Sequence, residues 1–194
     1  MSGKIMLMWC STILITFFAV AVVADSLGYV DEEEKRRVDI SLTIFPRIVA
    51  VDNDFRSKLN GGNKVHLVFL YIEGKSRARS LSQSLKQKNK NIGGMRVRAS
   101  AVSLDELLIS GKKIKPTAIF ISEHVSDDDL NKILAYSRAK SWIVFSPFVG
   151  DVERGVTVGI SITNRVKPYF NLSTLKESGI VINALLMKMS KRYE

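Results

Sequence analysis

Three short apolar runs set the rhythm of this sequence: Val65 to Ile72 (VHLVFLYI), Pro116 to Ser122 (PTAIFIS) and Trp142 to Phe145 (WIVF). Each is rich in β-branched and aromatic residues and is bounded by polar or turn-forming ones. That is the pattern of a strand buried on both faces, as in a parallel sheet. Between the runs lie polar, Lys-rich segments with helical spacing. Strand, helix, strand, helix, strand predicts an α/β fold: a three-layer, mostly parallel sheet with helices on both faces.

The remaining periodicity fills in the elements. Ile40, Ile44 and Ile48 predict an N-terminal helix packed on the sheet and broken near Pro46. Asn60 to Asn63 (NGGN) predicts a turn into the first strand. Ala78, Leu81 and Leu85 mark the inner face of a helix over Arg77 to Lys90, with Lys86, Lys88 and Lys90 facing water. Val97, Ala99 and Ala101 alternate with Arg96, Arg98 and Ser100, a weaker edge strand with one wet side. Ser103 then caps a short helix to about Ser110, and Ser126 caps another, with Asp127, Asp128 and Asp129 on the positive end of its dipole. The inner face of that second helix is Leu130, Ile133, Leu134 and Ser137. Val156 to Thr163 and Arg165 to Asn171 predict a hairpin around Asn164 that adds an antiparallel C-terminal edge to the sheet. Asn171 caps a short helix ended by Gly179. Asn183 opens a final helix whose apolar positions are Leu185, Leu186, Met189 and Tyr193.

The first two dozen residues do not follow this rhythm. Lys4 precedes an apolar, uncharged run from Ile5 to Val23, and Ala19, Ala21 and Ala24 supply small residues before Asp25. This predicts a secretory signal peptide over residues 1–24, cleaved after Ala24, and one domain over residues 25–194. An uncleaved anchor is the competing reading, because the run is long enough to span a bilayer. The expected location is therefore periplasmic. The only cysteine, Cys10, falls inside the signal, so the mature chain has no disulfide, no thiolate nucleophile and no redox switch.

Charge alters the picture less than its size suggests. The chain carries 29 basic and 19 acidic residues, a net charge of +10. Such a surface favours anionic partners, but the export signal and the lack of aromatics between the cations argue against nucleic acid. The excess reads mainly as a solvated face.

The C-terminal stretch carries a resemblance. Tyr169-Phe170-Asn171-Leu172, Leu175-Lys176, Ser178-Gly179-Ile180, Ile182 and Leu185-Leu186 are similar to the closing block of the YfiR/HmsC-like periplasmic proteins. The signal peptide, the N-terminal helix and the strand ending Ile119 to Ser122 agree in order. Val51-Asp52-Asn53 stands where that family usually has Trp-Pro. The resemblance implies a small periplasmic regulator, not an enzyme. It would bind the periplasmic domain of an inner-membrane signalling protein, a diguanylate cyclase or a sensor kinase. Membrane contact would then run only through that partner or an uncleaved signal. The oligomeric state, a homodimer included, is left open.

Ligands of doubly wound sheets sit beyond the carboxyl ends of the strands. Those ends nominate Gly74, Lys75, Ser76 and Arg77 after the first run, Ser122 and Glu123 after the second, and Ser146 after the third. The Gly74 to Arg77 loop leads into a helix N-terminus and can hold an anion. Ser122 with His124 lacks the glycine elbow and third member of a hydrolase triad. His66 and His124 are too far apart in sequence to suggest a metal set, so no metal and no cofactor is expected. The second function class, beside the regulator, is a small-ligand binder resembling one lobe of a transport-associated binding protein.

Overall fold

A computed structural model of the chain describes residues 32–59 and 64–194. The signal-peptide stretch and the Asn60–Asn63 turn lie outside the described residues. The chain divides into two compact units, Met1–Arg36 and Arg37–Glu194. Of the first, residues 32–36 are described, and they are helical, with Lys35 Nζ 3.6 Å from Glu32 Oε1.

The second unit is an α/β domain built on an eight-stranded sheet. Residues 37–50 form helix α1. A 3₁₀ turn at Phe55–Lys58 leads to β1 (Lys64–Tyr71), α2 (Lys75–Lys88), β2 (Asn91–Ile92), β3 (Met95–Ser103), α3 (Leu104–Ile114) and β4 (Ala118–Ile121). Then come α4 (Asp127–Arg138), β5 (Ile143–Phe145), β6 (Val158–Ile162), β7 (Val166–Asn171), α5 (Leu172–Glu177), α6 (Ala184–Met189) and β8 (Lys191–Tyr193). The sheet order is β2-β3-β1-β4-β5-β6-β7-β8. The five strands β3, β1, β4, β5 and β6 are parallel, β7 is antiparallel to β6, and β8 runs parallel to β7. Taken alone, the parallel strands follow the doubly wound order 2-1-3-4-5, with a topological switch point between β1 and β4.

Alternation along the central strands sorts the core into two layers. Leu67, Phe69, Phe120 and Phe145 pack with Leu42, Phe45, Ile48 and Leu85 of α1 and α2 on one face. Val68, Leu70, Ile119, Ile121 and Val144 pack with Leu107, Leu130, Ile133 and Leu134 of α3 and α4 on the other. Register explains the tightest part of the first layer. Phe69 pairs with Phe120 and Phe120 with Phe145, so three rings lie in one row across neighbouring strands. Phe45 of α1 sits over that row at 5.3–6.4 Å between ring centroids. Each fully buried ring is worth roughly 1.5–3 kcal/mol of transfer free energy.

The caps follow the sequence. Ser126 Oγ accepts from the Asp129 N–H, Asn171 Oδ1 from that of Thr174, and Asn183 Oδ1 from that of Leu185. Gly179 sits at φ +62°, the left-handed conformation that ends a helix most cheaply with glycine.

The antiparallel C-terminal hairpin is present as β6–β7, with β6 also a fifth parallel strand against β5 and β8 adding one short strand beyond β7. Two expectations are corrected. Pro46 does not break α1, because Phe45, Ile48 and Val49 on either side of it are fully buried and hold the helix to the sheet. The final helix stops at Met189, and Tyr193 belongs to β8. The 3₁₀ turn is pinned by a buried ion pair between Lys58 Nζ and Asp52 Oδ2.

Candidate functional site

The switch point opens at the carboxyl ends of β1, β4 and β5, where all seven sequence-nominated residues lie. The β1 exit turns sharply at Glu73–Gly74 before α2. Three successive backbone N–H groups there, of Ile72, Glu73 and Gly74, donate to the Glu123 carboxylate from the β4 exit, the last two at 3.0–3.1 Å. A Cβ on Gly74 would stand 2.6 Å from Glu123 Oε2, so a larger residue there would push the carboxylate from this seat. The nest predicted to hold an anion is thus filled by the chain's own anion. Gly74 and Glu123 act as a clasp between two loops, while Lys75, Ser76 and Arg77 form the exposed first turn of α2.

A second cluster secures the β5 exit. Ser146, fully buried, donates to Asp151 Oδ2 at 2.5 Å and accepts from the Phe148 N–H at 3.1 Å. Asp151 Oδ1 takes the Arg154 guanidinium at 2.8 Å, and Arg154 continues to Asp127 Oδ1 and the Val125 carbonyl. This chain of charge-assisted bonds joins the β5–β6 loop to the start of α4. Ser146 is therefore a loop brace and not a free hydroxyl.

What remains at the rim is a different group. Phe148 is buried at its centre, with the His124 ring 4.1 Å from it between centroids and the Arg77 guanidinium carbon 5.7 Å from its own. Residues from three loops meet there. Ser122, 1% exposed, has a hydroxyl with no hydrogen-bond partner at the end of β4. A buried hydroxyl left in that state costs roughly 1–3 kcal/mol. Phe148, Asp151 and Arg154 were missed in the sequence because nothing local marks them; their partners lie on other loops.

The opposite, amino-terminal end of the sheet holds a second concavity. A cleft of about 690 Å³ is lined by Gln83, Lys86, Gln87, Lys90, Asn91, Arg96 and Val97, from α2, β2 and β3. Between Glu73 and Asp105 the chain has eight basic residues and no acidic one. Lys64 pairs in register with Arg96, so one further cation stands beside it on β1. Near this end His66 is buried, with Nδ1 2.8 Å from the Ile114 carbonyl and Nε2 2.8 Å from Ser100 Oγ. A carbonyl only accepts, so Nδ1 carries the hydrogen and Nε2 accepts from the serine. Burial, with the Arg98 charge adding to it, holds the imidazole below its ordinary pKa of 6.5. Among the described residues no group of three or more His, Cys, Asp or Glu side chains is placed to bind a metal ion.

No model of a known protein family matches the chain, and no curated protein does. Solved structures do match in fold. A substrate-binding protein with adhesive properties from Clostridium difficile, ligand-free and open, shares 11% identity over 80% of this chain and 59% of its own, at a TM-score of 0.53. An ABC domain in complex with L-Trp from Streptococcus pneumonia shares 15% identity over 76% and 60% of the two chains, at 0.48. A conserved domain protein from Vibrio cholerae shares 13% over 66% and 54%, at 0.49. The chain spans between 54% and 60% of the length of these structures. At such identities the likeness is one of fold. No helix among the described residues is long and apolar enough to cross a membrane.

Proposed function

We propose that this chain is an exported small-ligand-binding domain that works by binding and not by catalysis, with its ligand at the carboxyl-end rim. The observation that carries the reading is the buried, partnerless Ser122 hydroxyl at the carboxyl end of β4, at the end of the sheet that also holds the cluster of Arg77, His124 and Phe148. A switch point is where ligands of doubly wound sheets sit. The fold likeness to a substrate-binding protein agrees with this. Arg77 brings a positive charge to the rim, while the Glu123 carboxylate is taken up by the N–H groups of the β1 exit, which favours a small ligand carrying a carboxylate over a purely apolar one. One lobe covers one side of such a molecule, so the other wall would come from a partner protein or a second copy of this chain. Nothing among the described residues favours a regulator of a membrane signalling protein over this reading.

The test is a thermal-shift screen of zwitterions, carboxylates and neutral sugars. A ligand at a hundred times its dissociation constant adds about 2.7 kcal/mol of stability, which raises the Tm of a domain this size by roughly 2–4 °C per kcal/mol. The rise should vanish in Ser122→Ala and Arg77→Ala. A ligand whose effect survives both substitutions, or a screen with no rise at all, sinks the proposal.

A further inference from the structure

The cleft between α2 and β3 is a site of a different kind, remote from the rim. Its seven lining residues comprise three cations, three primary amides and one valine, with no acid and no aromatic ring. Lys86, Lys90 and Arg96 take no part in the ion pairs of the described residues. Gln83, Lys86 and Gln87 share one face of α2, at the spacing that brings side chains together. Like charges lining one cleft without a counter-charge among its lining residues repel one another. Folding alone gains nothing from this arrangement; an anion held there would relieve it. The volume falls in the range of ligand pockets. Amide side chains both donate and accept, so Gln83, Gln87 and Asn91 match hydroxyl groups. A metal cation has no ligands here, and nucleic-acid bases have nothing to stack on.

We propose that this cleft binds an anionic saccharide, its carboxylate, sulfate or phosphate groups met by Lys86, Lys90 and Arg96 and its hydroxyls by the three amides. The reading does not depend on the rim site.

Calorimetry with four probes tests it: oligogalacturonate, a sulfated heparin oligosaccharide, maltotetraose and oligothymidylate. Both anionic saccharides should bind, more weakly as salt rises, and maltotetraose should not. Removing the three cations together (Lys86→Gln, Lys90→Gln, Arg96→Gln) should weaken binding by about tenfold per cation, the scale of one charge-assisted hydrogen bond. Arg77→Ala at the rim should change nothing. The matched triple Lys188→Gln, Lys191→Gln, Arg192→Gln removes the same charge elsewhere, and an equal loss there would mean diffuse attraction and overturn the proposal. Tighter binding of oligothymidylate than of either saccharide, or no binding of both saccharides, overturns it too. Acetylation footprinting of the unaltered protein needs no variant. The sulfated probe should protect Lys86 and Lys90 and leave Lys191 reactive, and protection confined to other lysines refutes the site.

Discussion

The two ends of the sheet handle charge in opposite ways. At the carboxyl end the exits of β1, β4 and β5 are tied by internal carboxylates: Glu123 takes the N–H groups of the β1 exit, and Asp151 takes Ser146 and Arg154. At the amino end of β1 and β3, Lys86, Lys90 and Arg96 line a cleft with no acid among its lining residues. The first arrangement spends charge on holding loops in register. The second leaves charge facing outward, where it adds nothing to stability and remains free to attract a ligand. Net charge alone does not separate the two; pairing does.

Substitutions at the two ends should therefore differ most in their effect on stability. Asp151→Ala strands a buried serine hydroxyl and half of Arg154. Because Arg154 is one-third exposed and keeps Asp127, the loss falls below that for a fully buried pair, at about 2 kcal/mol by chemical denaturation. A loss under 0.5 kcal/mol would show that the brace is ornamental. Glu123→Ala leaves three backbone N–H groups to water and costs about 2 kcal/mol. In that variant hydrogen exchange should show faster opening at residues 72–74 than within β1, and uniform exchange would break the clasp argument.

His66 gives a smaller, pH-dependent effect near the basic end. Its folded-state pKa lies below 6.5, so as pH falls the unfolded chain takes up the proton first. Its contribution is whole above pH 6.5 and declines as pH drops from there towards the folded-state value. Comparing the wild type with His66→Gln in denaturant melts from neutral to mildly acid pH checks this; parallel curves would contradict it. Arg98→Gln should move the imidazole back towards its ordinary value in an NMR titration. Smallest of all, Lys86→Gln with Lys90→Gln should leave stability within about 0.5 kcal/mol, as for solvent-facing positions. A large loss there would mean those lysines are structural and would erase the contrast.

Much of the fold was legible in the sequence. β1, β4 and β5 were visible because strands buried on both faces must be apolar throughout, and the helix starts because Ser126, Asn171 and Asn183 act on N–H groups only two or three positions away. The helical reading of the C-terminus failed because the apolar spacing of Leu185, Leu186 and Met189 does not reveal the pairing of Lys191–Tyr193 with β7, which is made by backbone groups. The site was half legible. Strand order placed Gly74, Ser122 and Ser146 on one rim, yet the roles of Glu123 and Asp151 rest on loops brought together by the sheet. The basic stretch was plain to see, but its cleft exists only once β2 and β3 fold back beside α2.

The antiparallel bridge between Asp52 and Ile182 has a kinetic consequence. It is flanked by hydrogen bonds from the Asn53 N–H to the Val181 carbonyl and from the Asn183 N–H to the Val51 carbonyl. The segment just after α1 is thus fastened by residues about 130 positions further along the chain. Until they arrive, Phe45 has its phenylalanine row to rest on, but the segment after α1 has no lock. Contacts this distant in sequence carry a high loop-closure cost and slow the final step of folding. A chain shortened before Ile180 should collapse on its central strands and still stay open to proteases around residues 51–58.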